Sequence, residues 1–213
     1  MTRATTGAEV SGGFYTSSEF AAKSAKMTDA AYITNLYNTY LGRAPDAAGL
    51  AGWEALLKSG ATRLSLLNGF INSEEFIGIC QRYRIAHGSF KPANYRDQYY
   101  NVTAFVGRLY KLFLNRNPEP AGLEGWCKTL ILNEQSGDQL AWNFVYSKEF
   151  QGRPLTDEQY ITIMYNGLLG RAPDAAGLAG WVANVKRNGR GVVFDGFIAS
   201  AEWKSIMEQY KLQ

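Results

Sequence analysis

Acidic side chains recur at matched places in this chain. Asp46, Glu119 and Asp174 each follow a proline. Recurrent carboxylates can ligate a hard cation or share a proton in acid–base chemistry. They can also do something plainer. Aspartate at the start of a helix accepts a hydrogen bond from the free amides of the first turn. Pro120 directly after Glu119 suits the first helical position. Helix capping is therefore the reading adopted for all three, with Glu119 the poorer cap. Glu74 and Glu75 are adjacent on a helix and point in different directions. Asp97, Asp138 and Asp195 are isolated in sequence, so no pair of carboxylates for glycoside hydrolysis is evident.

The remaining reactive types are sparse. His87 is the one histidine, which excludes a relay or metal site needing two. In its setting, AHGSF, it reads as a solvated loop residue. Cys80 and Cys127 are too far apart for a short-spaced metal pair. They read as reduced, half-buried thiols, and spacing alone cannot derive a disulfide. The phosphate-loop pattern Gly-x-x-x-x-Gly-Lys-Ser/Thr is absent. No catalytic, metal or cofactor residue is assigned.

One aromatic group stands apart. Tyr95, Arg96, Tyr99 and Tyr100, with Asn94 and Asp97, lie in a stretch that has no counterpart elsewhere in the chain. Exposed rings beside polar groups could stack on a sugar or anchor a protein partner. The alternative is that they cover the junction between repeats one and two.

Composition narrows the class. The chain has 213 residues, 46% of them hydrophobic and 19% charged. That is a globular composition, long enough to build a core without a disulfide. A net charge of +3, from 22 basic and 19 acidic side chains, is too mild and too scattered to imply a nucleic-acid partner. No apolar run reaches the roughly 18 residues of a membrane span, so direct membrane insertion is not expected. Met1 to Val10 is polar and small, unlike a signal peptide.

The residues that could carry chemistry are placed by a repeat. LGRAPDAAGLAGW occurs at Leu41–Trp53 and again, unchanged, at Leu169–Trp181, with a diverged copy, LNRNPEPAGLEGW, at Leu114–Trp126. Each follows an aromatic-rich stretch and precedes a shared tail motif: NSEEF, YSKEF and ASAEW. The string GFYTSSEF, ending at Phe20, matches that tail. Residues 1–27 thus read as the tail of a preceding repeat, from a longer array, or as a capping half-repeat. Repeat one spans 28–85, an inserted connection 86–100, repeat two 101–155 and repeat three 156–213.

Each repeat reads as three or four helices. Tyr32, Ile33, Leu36, Tyr37, Tyr40 and Leu41 paint one face of a first helix, and both other copies keep the spacing. Thr28, Asn101 and Thr156 are its expected N-caps. Gly42, Asn115 and Gly170 tolerate the left-handed backbone that ends it. A second helix carries Trp53, Trp126 or Trp181. The tryptophans are expected in the core, where truncation to alanine costs roughly 3–5 kcal/mol. Glycine pairs on this helix (Gly49 and Gly52, Gly122 and Gly125, Gly177 and Gly180) cost about 1 kcal/mol each relative to alanine. Close approach of another backbone, from helix one, is the expected compensation. A third helix follows Gly60 or Gly189. Ser73, Ser147 and Ser200 then cap a short fourth. No stretch alternates with period two, so the fold class expected is all-α, tandem repeats of a three- to four-helix unit.

The pattern Leu-Gly-Arg-x-Pro-Asp-x-x-Gly-Leu-x-x-Trp, followed by Gly-Phe-x-x-Ser-x-Glu-Phe, resembles the bacterial domain-of-unknown-function 4214 family. That family is in turn similar to the helical domain of phycobilisome linker polypeptides. Repeat two departs from it at Asn115, Asn117 and Glu119. The resemblance implies a non-enzymatic domain attached to larger secreted or surface proteins, and it brings no catalytic residues. The function expected is a helical scaffold or protein-interaction module, extracellular or at the cell surface, as part of a longer bacterial protein. The alternative is a carbohydrate-binding module that targets an attached enzyme or the cell wall. The expected partner is accordingly an unidentified protein or a surface glycan.

Overall fold

The computed structural model describes residues 5–212. Residues 1–4 and 213, the outermost parts of the first segment, of the polar Met1–Val10 stretch and of repeat three, lie outside the described residues. The chain forms two compact units, Met1–Ala104 and Phe105–Gln213. Every regular element among the described residues is helical.

The first unit contains α1 (Gly7–Tyr15), α2 (Ser18–Ser24), α3 (Asp29–Leu36), α4 (Ala47–Ser59), α5 (Arg63–Ile71) and α6 (Glu74–Arg82). An irregular connection follows, with one 3₁₀ turn at Tyr95–Asp97. Then α7 (Tyr100–Phe113) begins in this unit and ends in the next. Side-chain caps start each of the first six helices. Thr6, Ser17, Thr28, Asp46, Thr62 and Ser73 accept from an amide three residues on, satisfying donors that a helix start leaves free. The residues before repeat one are built into its core. The ring of Tyr15 lies 4.1 Å from Phe20 and 5.4 Å from Tyr40, and its hydroxyl donates to Asn35 Oδ1 at 2.7 Å.

The second unit continues with α8 (Pro120–Ile131), α9 (Gly137–Val145), α10 (Lys148–Gln151), α11 (Asp157–Met164), α12 (Ala175–Asn188), α13 (Gly191–Ala199) and α14 (Ala201–Tyr210). Trp203 is 1% exposed. It packs on Phe105 at 5.9 Å, and its indole N–H donates to Asp138 Oδ1 at 2.6 Å. Arg108 reaches Gly167 and donates from Nε to its carbonyl at 2.9 Å. Arg153 does the same for the end of α7, donating to the carbonyls of Leu112 and Phe113. Both guanidiniums fill acceptors that a helix end leaves open.

Several local expectations change. The first helix of repeats one and three widens into a π-helical turn, at Tyr37–Leu41 and Tyr165–Leu169, before the left-handed Gly42 and Gly170. Repeat two stays α-helical to Phe113, with Asn115 left-handed at φ 52°. Asn101 is no cap, because α7 already starts at Tyr100; its Oδ1 accepts from Val102 N instead. The fourth helix of repeat two is a single turn. Trp53, Trp126 and Trp181 are half-buried rather than core.

The first glycine of each pair faces a tyrosine hydroxyl, not a backbone. A Cβ at Gly49, Gly122 or Gly177 would stand 2.5, 2.7 or 2.9 Å from the phenol oxygen of Tyr37, Tyr110 or Tyr165. The second members, Gly52, Gly125 and Gly180, face open space, and nothing in the structure explains them.

Burial separates the tryptophans energetically. Trp203→Ala should cost roughly 3–5 kcal/mol. Trp53→Ala should cost about 1–2 kcal/mol, in proportion to the ring area it removes from water. Denaturant unfolding of both variants measures the difference; equal losses would contradict the burial order.

Candidate functional site

Two groups of residues compete for a functional role: the inserted connection and the repeated signature. The connection is pinned to α5. Asp97 is buried, and its Oδ1 accepts from Thr62 Oγ1 at 2.6 Å while Oδ2 accepts from Asn94 Nδ2 at 3.2 Å. Asn68 Nδ2 donates to the Gln98 carbonyl at 2.6 Å. Thr103 Oγ1, fully buried, donates to the carbonyls of Arg96 at 2.7 Å and Tyr99 at 3.0 Å. Tyr100 lies edge-on to Trp53 at 4.9 Å, in a space opened by Gly69, where a Cβ would stand 2.6 Å from the ring. Tyr95 and Arg96 are half-buried. Of the four candidates Tyr95, Arg96, Tyr99 and Tyr100, only Tyr99, 52% exposed, presents an open ring. Among the four, Tyr100 packs beside the third helix of repeat one, while Tyr99 stays open.

The first half of the connection packs on α1. The carbonyls of Ala86 and His87 accept from Gly7 N and Ala8 N at 2.9 Å each, and Phe90 fills the space beside Gly12. His87 is half-buried rather than solvated: Nε2 lies 2.7 Å from the Ile71 carbonyl and its ring 5.9 Å from Phe76. Cys80 and Cys127 are buried thiols, and burial pushes the Cys80 thiol upward.

The signature residues form one arrangement three times. Arg43 donates from Nε and Nη2 to the two carboxylate oxygens of Glu75, both at 2.8 Å. Arg171 does so to Glu202 at 2.6 and 2.7 Å. Arg116 reaches Glu149 at 2.9 and 3.4 Å and also Glu119 at 2.7 Å. Each guanidinium sits over a tyrosine of helix one, 5.0, 5.1 and 5.0 Å from the rings of Tyr37, Tyr165 and Tyr110. Each tyrosine meets a phenylalanine of helix three edge-on: Phe70 at 5.0 Å, Phe197 at 4.8 Å and Phe144 at 5.1 Å. The tryptophan of helix two closes on the same phenylalanine, at 4.9, 5.5 and 5.9 Å.

The recurrent acids have structural partners. Asp46 and Asp174 cap helix two, accepting from Gly49 N at 2.7 Å and Gly177 N at 2.8 Å. Glu119 makes no side-chain cap bond and turns to Arg116 instead. The hydrogen bonds from Arg43 and Arg171 hold Glu75 and Glu202 below the usual glutamate range, and the Gly177 amide does the same for Asp174. No group of three or more His, Cys, Asp or Glu side chains among the described residues is placed to hold a metal ion.

Two further arginines escaped the reading from sequence. Arg63 donates to the carbonyls of Ser24 and Met27 and pairs with Asp29; Arg190 donates to the Leu155 carbonyl and pairs with Asp157. They sit over Tyr32 and Tyr160. Their common place, just after the glycine that ends helix two, was the available signal.

The model of a family described as "Domain of unknown function (DUF4214)" matches residues 11–80, 93–154 and 141–207. The chain belongs to this family. No curated protein and no solved structure matches the chain. The second and third DUF4214 matches overlap across α10 and its tail motif, and the first opens within α1. The helices before residue 28 are thus taken into the first match, as they are into the core.

Acid should loosen the clamps in a defined direction. Glu75 and Glu202 have folded-state pKa values below 4.5, the ordinary glutamate value. Their contribution is complete above that value and is lost as pH falls through the lowered ones. Thermal melts should therefore be flat from pH 7 down to about 5 and then fall. Glu75→Gln with Glu202→Gln should lower stability at pH 7 and make the acid limb shallower. An unchanged acid limb would remove the clamps from the explanation.

Proposed function

We propose that this chain is a non-catalytic helical scaffold, a protein-interaction module within a longer bacterial secreted or surface protein. The observation that carries this is the fate of the signature side chains. The guanidiniums of Arg43, Arg116 and Arg171, the carboxylates paired with them and the capping Asp46 and Asp174 are engaged inside the chain. A pattern kept in three copies, with its polar groups turned to internal use, builds a framework on which outer surfaces can vary. The secreted or surface setting rests on the family resemblance alone.

A glycan-binding reading has one observation in its favour. Trp142, 54% exposed, borders a groove of about 380 Å³ with Gln139, Asn143, Phe194 and Ile198. A flat ring beside planar amides suits a pyranose face.

A glycan array probed with the isolated chain separates the two. The scaffold reading expects silence on the array, and capture of a defined protein by cross-linking from surface positions of the chain. Glycan binding lost in Trp142→Ala or Tyr99→Ala would replace it. Hydrolytic turnover abolished by a single carboxylate substitution would overturn the non-catalytic reading.

A further inference from the structure

α1 and α2 repeat the third and fourth helices of a complete repeat, residue for residue. GFYTSSEF aligns with GFINSEEF, so the N-cap Thr6 corresponds to Thr62, Val10 to Leu66, Gly13 to Gly69, Phe14 to Phe70 and Glu19 to Glu75. In the complete repeats these positions are filled. Leu66, Leu140 and Val193 are fully buried, Phe70, Phe144 and Phe197 are buried, and Glu75, Glu149 and Glu202 each hold an arginine. Gly196 makes room for the ring of Trp181, and Gly69 makes room for Tyr100, with the Trp53 ring in contact beside it.

In α1 and α2 the same positions are open. Val10 is 59% and Phe14 58% exposed. Glu19 is exposed and has no ion pair among the described residues. A Cβ at Gly13 would meet nothing within 4 Å. Tyr15 and Phe20 are buried like their counterparts Ile71 and Phe76. The open positions Val10, Gly13, Phe14 and Glu19 thus lie on an element whose core side, Tyr15 and Phe20, is in place. The neighbouring face, at Gly12, is covered by Phe90, just as Gln98 covers Asn68 on α5. On α5 both faces are occupied together, so a covered Gly12 leaves the other face accessible.

We infer that this face binds the front half of a further repeat of the same type, carried by a partner chain. The occupant is a helix pair with tyrosine, arginine and tryptophan at the spacing of Tyr37, Arg43 and Trp53. Its aromatic rings close on Phe14, its tryptophan uses the space beside Gly13, and its guanidinium takes the Glu19 carboxylate in two parallel hydrogen bonds. This chain's own three front halves are already closed on Phe70, Phe144 and Phe197. A second copy of it has none to give without opening. The inference rests on the interaction-module reading, which the glycan array judges separately.

The test tethers the occupant to its receptor. A copy of Thr28–Ala61 is joined ahead of Thr6 in the full chain, in place of residues 1–5, in the register that joins Ala61 to Thr62. Tethering gives the pair a high effective concentration. Amide exchange across α1 should slow by at least about tenfold, the scale expected when one well-packed ring closes an interface. Glu19→Arg should remove the protection, and Arg43→Glu in the added copy alone should do the same. The two reversals together should restore it. Unchanged exchange in α1, or single and double reversals that behave alike, would overturn the inference. So would a dimer of the unextended chain that Phe14→Ala dissolves, because a second copy would then be the occupant.

Discussion

One arginine per repeat fastens the turn after helix one to the fourth helix. The guanidinium is suited to this place because it is flat on two counts. Its face lies over a tyrosine ring while its edge meets a carboxylate through two parallel hydrogen bonds. A lysine could offer a charge but neither the fork nor the stacking plane. Around this contact the other signature residues fall into order. The tyrosine beneath the guanidinium needs a glycine opposite its hydroxyl, and that glycine sits one turn into a helix whose start is set by aspartate. The phenylalanine against the tyrosine receives the tryptophan from the other side. Exchanging any one member changes the space available to the next.

How far this could be read from sequence depends on which physical rule applied. Capping and termination were legible, because they depend on residues adjacent in the chain. Thr28, Asp46, Thr156 and Asp174 cap as their positions require, and Gly42 and Gly170 turn left-handed. The apolar face of helix one was legible from its period. Side-chain contacts between distant residues were not. Nothing local shows that Arg43 meets Glu75, or that Gly49 accommodates a hydroxyl rather than a backbone. The half-burial of Trp53 escaped for the same reason, since a recurring tryptophan at helical spacing looks the same in a core and on a flank. The π turns depend on how a helix end packs, which sequence does not print.

The inserted connection shows the limit from the other direction. Tyr95, Arg96, Tyr99 and Tyr100 stand out because no other repeat has them, which suggests either a partner or sugar contact or a cover over the junction between repeats one and two. Their backbone is tied to α5 through Asp97 and Gln98, and to the start of α7 through Thr103. Buried polar groups of this kind keep an irregular segment in place, because breaking one bond strands its partner away from water. An insertion can thus be foreign to a repeat and still be structural. The residues that do lie open, Phe14 and Trp142 among them, carry no special pattern in sequence. They stand out only once the equivalent positions in other copies are known to be covered or replaced.

The single turn α10 has a consequence for how the second unit comes apart. Phe150, on that turn, lies 4.8 Å from Phe113 of its own repeat and stacks at 5.6 Å on Tyr160 of the next. One ring thus belongs to two neighbours at once. In a linear array such shared contacts are the nearest-neighbour terms that set cooperativity. That ring couples repeats two and three, so loosening one removes a contact from the other.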